Sequence, residues 1–146
     1  MATSANIKWS TPTTIQTLLS SELINLANNA QTLSNITVDN ETSRNTYVSV
    51  EVVAQFGVNP TGYITVYWLT SLDGVNFVNG DVSTAPPGTS LLGNFPLRLT
   101  TSQQRIQIDS LPIPPLKGRM LVENKSGQII LTGTVKARFF NQEVSG

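Results

Sequence analysis

Hydrophobic and polar positions alternate along most of this chain. In Thr46–Phe56, TYVSVEVVAQF, the residues Val48, Val50, Val52, Ala54 and Phe56 share one face at period two, while Tyr47, Ser49, Glu51 and Gln55 share the other. That is the pattern of a strand with one side buried. A Gly, Pro and Asn turn, GVNPTG, separates it from YITVYWLTS, which is β-branched and aromatic on both faces and therefore predicts a strand in the middle of a sheet. Asp73-Gly74 and Asn79-Gly80 are tight-turn dipeptides, and Pro86-Pro87-Gly88 breaks any ladder, so residues 79–93 read as a long exposed loop. NFPLRLTT and QRIQIDSL predict two further strands, the second alternating Ile106 and Ile108 against Arg105, Gln107 and Asp109. LPIPPLKG reads as an extended Pro-rich connection. GRMLVEN, a turn at Asn124-Lys125-Ser126-Gly127, QIILTG and TVKARFFN complete the set.

Residues 15–38 are ambiguous, because Leu19, Leu23, Leu26 and Ala30 fit a helical stripe that Ser, Asn and Thr dilute. The β pattern elsewhere favours two short strands joined by a turn, with a helix as the alternative. The expected fold class is all-β: a jelly-roll-like β-sandwich of about eight or nine short antiparallel strands, with an immunoglobulin-like sandwich second. Residues 1–13 are polar, hold Pro12 and carry one isolated aromatic, Trp9. They read as an extended N-terminal arm before a sandwich domain at 14–141 and a C-terminal tail at 142–146. Trp9 either tucks onto its own domain or anchors the arm on a neighbouring subunit.

Composition narrows the chemistry. The 146 residues include no Cys and no His, which removes disulfides, thiolate nucleophiles, the usual general base and the commonest transition-metal ligands. Nine basic residues balance nine acidic ones, without the basic footprint of a nucleic-acid binder. No signal-like or membrane-spanning run is visible, so synthesis in a cytoplasm and no membrane partner are expected.

Among candidate sites, Asp73, Asn76, Asn79 and Asp81 offer oxygen ligands to a metal, but the run lacks the ligand rhythm of an EF-hand, and Asp and Asn favour such bends through local hydrogen bonds. No metal and no cofactor are expected. Tyr63, Tyr67, Trp68 and Phe77 supply rings for a sugar-stacking platform, although Tyr67 and Trp68 point to opposite faces of one strand. None of the nine acids sits in a context that suggests a catalytic pair, so an enzyme is not expected. Arg98, Arg105, Lys117, Arg119, Lys136 and Arg138 make a mild cationic excess in the C-terminal half, readable as a solvated face or as contact with an acidic protein partner.

Five elements stand in a fixed order: the Ser71–Phe77 hairpin SLDGVNF, the Ala85–Ser90 loop APPGTS, the Gly93–Arg98 strand GNFPLR, the Leu111–Pro115 bridge LPIPP and the Leu121–Gln128 hairpin LVENKSGQ. Over roughly residues 47–140 the chain resembles small β-sandwich virion structural proteins of tailed bacteriophages, of the capsid decoration or cement type. The resemblance implies a non-enzymatic building block that sits on the outer head surface of a virion, stabilises the shell, and has the major capsid protein and neighbouring copies of itself as partners. A tail, neck or baseplate component is the alternative, and a carbohydrate-binding module a further one, since the Ser-x-Asp-Gly-x-x-aromatic hairpin also resembles part of those modules. A neutral polar surface suits close-packed copies, and exposed edge strands with a loose arm lead to the expectation of a homo-oligomer. Position and composition make Trp9, the loop with Pro86 and Pro87, and the bridge with Pro112, Pro114 and Pro115 the candidate partner contacts.

Overall fold

The computed structural model describes residues 5–145. Met1–Ser4 of the expected arm and Gly146 of the tail lie outside them. Ten strands follow one another: β1 (Asn6–Trp9), β2 (Gln16–Leu19), β3 (Gln31–Asp39), β4 (Tyr47–Phe56), β5 (Tyr63–Ser71), β6 (Leu91–Pro96), β7 (Gln104–Pro112), β8 (Lys117–Lys125), β9 (Ile130–Phe140) and β10 (Gln142–Ser145). The only helical segments among the described residues are single turns, one of them at Asn40–Ser43.

The pairing is nested. Strand β1 pairs with β10, β2 with β9, β3 with β8, β4 with β7 and β5 with β6, all antiparallel, so the chain is one long hairpin folded at the β5–β6 connection. Rolling that hairpin adds β4 to β9 and β5 to β8, and gives two four-stranded sheets, β2-β9-β4-β7 (sheet I) and β3-β8-β5-β6 (sheet II). This is the strand order of a jelly roll. The fold class expected from the alternation is therefore the fold observed.

Alternation explains where the core lies. Val48, Val50, Val52, Ala54 and Phe56 from β4 face Ile64, Val66 and Trp68 from β5, with Met120, Val122, Ile130, Val135, Ala137 and Phe139 closing the layer. All are buried, and each large side chain contributes about 1.5–3 kcal/mol on transfer from water. Trp68 packs on Phe139 with ring centroids 6.2 Å apart. Its indole lies so close to Gly118 that a Cβ there would fall 2.3 Å from the ring.

Three local readings are corrected. Residues 91–93 are not loop: β6 begins at Leu91, pairs with Tyr67 and Val66, and uses Gly93 because a Cβ would meet Ile108 Cδ1 at 2.8 Å. Residues 97–101 are not strand, since the Leu97 N–H turns to the Gly62 carbonyl and the Arg98 N–H to Gln104 Oε1. QIILTG and TVKARFFN are one strand, not two. Gly133 within β9 is no break but a close approach, where a Cβ would lie 2.8 Å from the Val53 carbonyl oxygen.

Nested pairing brings both ends of the described chain to one pole of the sandwich. That pole also holds the Asn40–Asn45 turn, the β5–β6 connection at its Ser71–Phe77 hairpin and the β7–β8 connection. The opposite pole holds the connections at 20–30, 57–62, 97–103 and 126–129.

Candidate functional site

The residues expected to arm and tail the domain form a ribbon of their own. Asn6 pairs with Ser145, Ile7 with Val144, Lys8 with Glu143 and Trp9 with Gln142. The base of the ribbon is bolted down: Ser10 N–H donates to the Asn141 carbonyl, Asn141 N–H to Ser10 Oγ, and Thr46 N–H to Asn141 Oδ1 at 2.6 Å. Beyond that bolt, Trp9 is what holds the ribbon to the body. Its ring meets Tyr47 and Phe140 edge-on at 5.3 and 5.2 Å, while Tyr47 and Phe140 stack on each other at 5.9 Å. Edge-to-face contacts of this kind add about 0.5–1.5 kcal/mol beyond burial. Trp9 is nevertheless 52% exposed, and Ile7 (72%) and Val144 (73%) stand opposite each other in water.

The other connections at this pole are rigid. In the Ser71–Phe77 hairpin, Asp73 Oδ1 accepts the N–H groups of Asn76 (2.7 Å) and Val75 (2.8 Å) and the Ser71 hydroxyl, and Asp73 Oδ2 accepts Asn76 Nδ2. Those bonds, the Asn76 and Val75 amides first, hold the Asp73 carboxyl well below the usual carboxylate range. Gly74 takes φ +79°, and its N–H donates to Ser71 Oγ. The hairpin tip presents Leu72 (89% exposed) and Val75 (77%) to solvent. Four side chains, Leu72, Val75, Ile7 and Val144, are the most exposed large apolar residues of the described chain, and all lie at this pole.

Pro112 lies beside this assembly, paired with Tyr47 in the β4–β7 register. Pro114 is held by its carbonyl, which accepts Asn40 Nδ2 at 2.8 Å, and Ile113 between them is buried and donates its N–H to Thr46. Pro112, Pro114 and Pro115 are exposed. The structure thus brings Trp9 and the bridge prolines to one pole.

Pro86 and Pro87 belong to a flap that folds back over the outer face of sheet II. Leu69 and Leu121 point away from the core yet are fully buried, because the flap covers them. Gly80 sits so tightly there that a Cβ would meet Leu69, Pro86 and Leu121 at 2.9, 3.2 and 3.3 Å. Gln31 Nε2 donates to the carbonyls of Asp81 and Thr84, and the Arg119 guanidinium lies 4.1 Å over the Phe77 ring. Pro86 is half-buried in this internal packing, whereas Pro87 is exposed.

Two sequence-level constellations look different in three dimensions. Asp73 and Asp81 each close their own turn, Asp81 Oδ1 accepting the N–H groups of Ser83 and Thr84 first, and both carboxyls are held below the usual range by those bonds. Among the described residues no three Asp, Glu, His or Cys side chains gather as a metal site would require. The four-ring platform is not assembled: Trp68 is in the core, Phe77 lies under Arg119, and only Tyr63 and Tyr67 share the outer face of sheet II. Burial, then the neighbouring Glu123 carboxylate, pushes the Tyr67 hydroxyl up.

Sequence reasoning missed Tyr47 and Phe140 as the seat of Trp9, and Ile7 and Val144 as its extension. One signal was present: Tyr47 and Phe140 are large aromatics on the outward side of strands whose inward side is already filled by Val48 and Phe139.

No family profile and no curated protein sequence matches this chain. Among solved structures it is similar to an arabinose-bound MgGH51 α-L-arabinofuranosidase, at 10% identity over 92% of this chain and 23% of that protein, with a TM-score of 0.36. It is also similar to the Yersinia pseudotuberculosis-derived mitogen, at 11% identity over 93% and 86% of the two chains, with a TM-score of 0.28. The catalytic domain of a GH87 α-1,3-glucanase gives 11% identity, 94% and 28% coverage and a TM-score of 0.30. The chain spans about a quarter of the length of each glycosidase. Likeness of this degree assigns no activity to it.

Proposed function

We propose that this chain is a non-enzymatic virion structural protein of a tailed bacteriophage, a decoration or cement protein that attaches to the outside of the head shell and stabilises it. Its partners in this reading are the major capsid protein and neighbouring copies of itself. The resemblance of residues 47–140 supplies the class. The observation that supports attachment is the pole that holds the β1–β10 ribbon, the Ser71–Phe77 hairpin and the bridge prolines, and where the four most exposed large apolar side chains of the described residues stand. Water-exposed apolar groups gathered on a rigid support are what a protein–protein contact uses. Valence multiplies such modest contacts across a shell.

The test compares the full chain with a form lacking residues 1–13 in co-sedimentation with purified heads and, separately, purified tails of the parent phage. Attachment to heads, higher thermal resistance of the decorated heads and a large loss of attachment on truncation are expected, with circular dichroism reporting an intact β fold. Binding to tails alone moves the protein to the tail, neck or baseplate. Undiminished attachment of the truncated form overturns the role of the ribbon.

A further inference from the structure

The outer face of sheet I holds a depression of about 420 Å3 whose lining includes Ile15, Glu51, Arg105, Gln107, Lys136 and Arg138. Alternation puts these polar side chains there: they are the outward residues of β4, β7 and β9, whose inward neighbours Val50, Val52, Ile106, Ile108, Val135 and Ala137 pack on the core. Within a chain of zero net charge, the lining carries three cations, Arg105, Lys136 and Arg138, against one carboxylate, Glu51. Arg105 Nε holds Glu51 at 3.4 Å. Gln107 Nε2 donates to Asp109, two residues further along β7. Arg138 Nε donates to the Thr13 carbonyl at 2.8 Å, which fixes the guanidinium and leaves its two terminal nitrogens to other acceptors. Lys136 takes part in neither of the ion pairs found among the described residues.

We infer that this face recognises an extended acidic segment of a protein partner. The register sets the spacing. Arg138 lies opposite Ser49, Lys136 opposite Glu51, and Arg105 opposite Val53, two strands away from β9. At about 3.4 Å per residue and 4.8 Å per strand, the backbone positions of Arg138 and Arg105 are on the order of 17 Å apart along the diagonal, so the cations are spread across the face instead of sharing one backbone site. An extended peptide of about five residues spans that distance. Lys136 and Arg138 are two residues apart on one strand, the repeat at which acidic side chains recur on one side of an extended chain. Glu51 between the cations favours such a ligand over a uniform polyanion, because a peptide can set an uncharged residue over Glu51 whereas a continuous run of phosphates or sulfates cannot. The lining contains no aromatic ring on which a sugar or a base would stack. Ile15 offers the peptide's apolar residues an exposed rim. The inference is independent of the head-surface reading, since it uses a different face of the molecule.

The experiment is an NMR and calorimetric titration of the full chain at low salt with acetyl-Glu-Val-Glu-Val-Glu-amide. The same peptide with Gln for Glu, a heparin hexasaccharide and an oligothymidylate are the comparison probes. Shifts confined to β4, β7 and β9, loss of binding with the Gln peptide, and affinity about tenfold weaker in the double variant Arg105→Gln, Lys136→Glu support the site. Both substituted side chains point outward, and an unchanged thermal midpoint confirms that the variant folds. Absence of shifts on this face, equal affinity of the variant, or preference for heparin or oligothymidylate overturns it.

Discussion

The two poles of this sandwich differ in what their loops leave exposed. At the pole remote from the termini, the four connections are tied to one another in a chain of hydrogen bonds: Leu97 N–H to the Gly62 carbonyl, Thr61 and Gly62 N–H to the Ser126 carbonyl, Gly127 N–H to Asn28 Oδ1, and Ile130 N–H to the Leu26 carbonyl. Buried Asn124 is the knot in that chain. Its Nδ2 donates to the carbonyls of Leu26 (2.9 Å) and Gln128 (2.8 Å), and its Oδ1 accepts Ser126 N–H (3.0 Å) and the Ser126 hydroxyl. At the ribbon pole Asp73 stiffens its hairpin from within, Asn40 Nδ2 ties the 40–45 turn to the Pro114 carbonyl of the β7–β8 connection, and Asn141 joins the base of the ribbon to Ser10 and Thr46, while Ile7, Leu72, Val75 and Val144 remain in water. Both poles join loops through a buried Asn, Asn124 at one and Asn40 at the other; they differ in that the ribbon pole carries the four most exposed large apolar side chains of the described residues.

That division can be broken from either side, and the largest effect belongs to the knotted pole. Asn124→Ala removes one of two donors from each of the Leu26 and Gln128 carbonyls, which keep the Ile130 N–H and the Ser126 hydroxyl, and leaves the Ser126 N–H without its acceptor in a site closed to water. A stability loss of about 3 kcal/mol is expected in urea denaturation. Attachment through the ribbon pole is expected to be unchanged while the variant stays folded, and a comparable loss of attachment would show that the poles are not separate.

The smallest effect belongs to the hairpin of the ribbon pole. An unfolded Asp titrates near 3.9, whereas Asp73 in the fold is held well below that value. A depressed folded pKa means that the stability it contributes is present above about pH 4 and is lost as the pH falls below that towards the folded value. Asp73→Asn keeps an acceptor for the Val75 and Asn76 amides but does not titrate. A small loss at pH 7 and a shallower decline of the thermal midpoint between about pH 4 and pH 2 are expected; an unaltered acid limb would show that the hairpin bonds contribute nothing to folding.

How much of this was legible depends on sequence distance. Strand β4 could be read directly because Val48 to Phe56 fill one face without interruption, and the jelly roll followed from many such runs. Gly133 misled because a glycine looks the same in a turn and at a backbone crowded by a neighbour, and only the packed neighbour tells them apart, while residues 91–93 read as part of the loop that Pro86-Pro87-Gly88 opens. The ribbon was illegible for another reason. Asn6–Trp9 and Gln142–Ser145 are each four residues long, too short for a period of two to stand out, and they are strands only because nested pairing brings them together. The cationic depression was half legible: outward Arg and Lys could be recognised one by one, but not that Arg105, Lys136 and Arg138 share a face while Lys117 and Arg119 sit on the other sheet. Of the candidate contacts, Trp9 and the bridge prolines meet at one pole, whereas Pro86 is largely engaged in holding its own flap.

The central claim is that one pole binds and the other holds the fold, and hydrogen exchange read by mass spectrometry on the chain free and bound to purified heads tests it most directly. The account predicts new protection on binding at residues 6–9, 72–77 and 142–145, with no change at 97–103 and 124–129. New protection confined to 97–103 and 124–129 would contradict it.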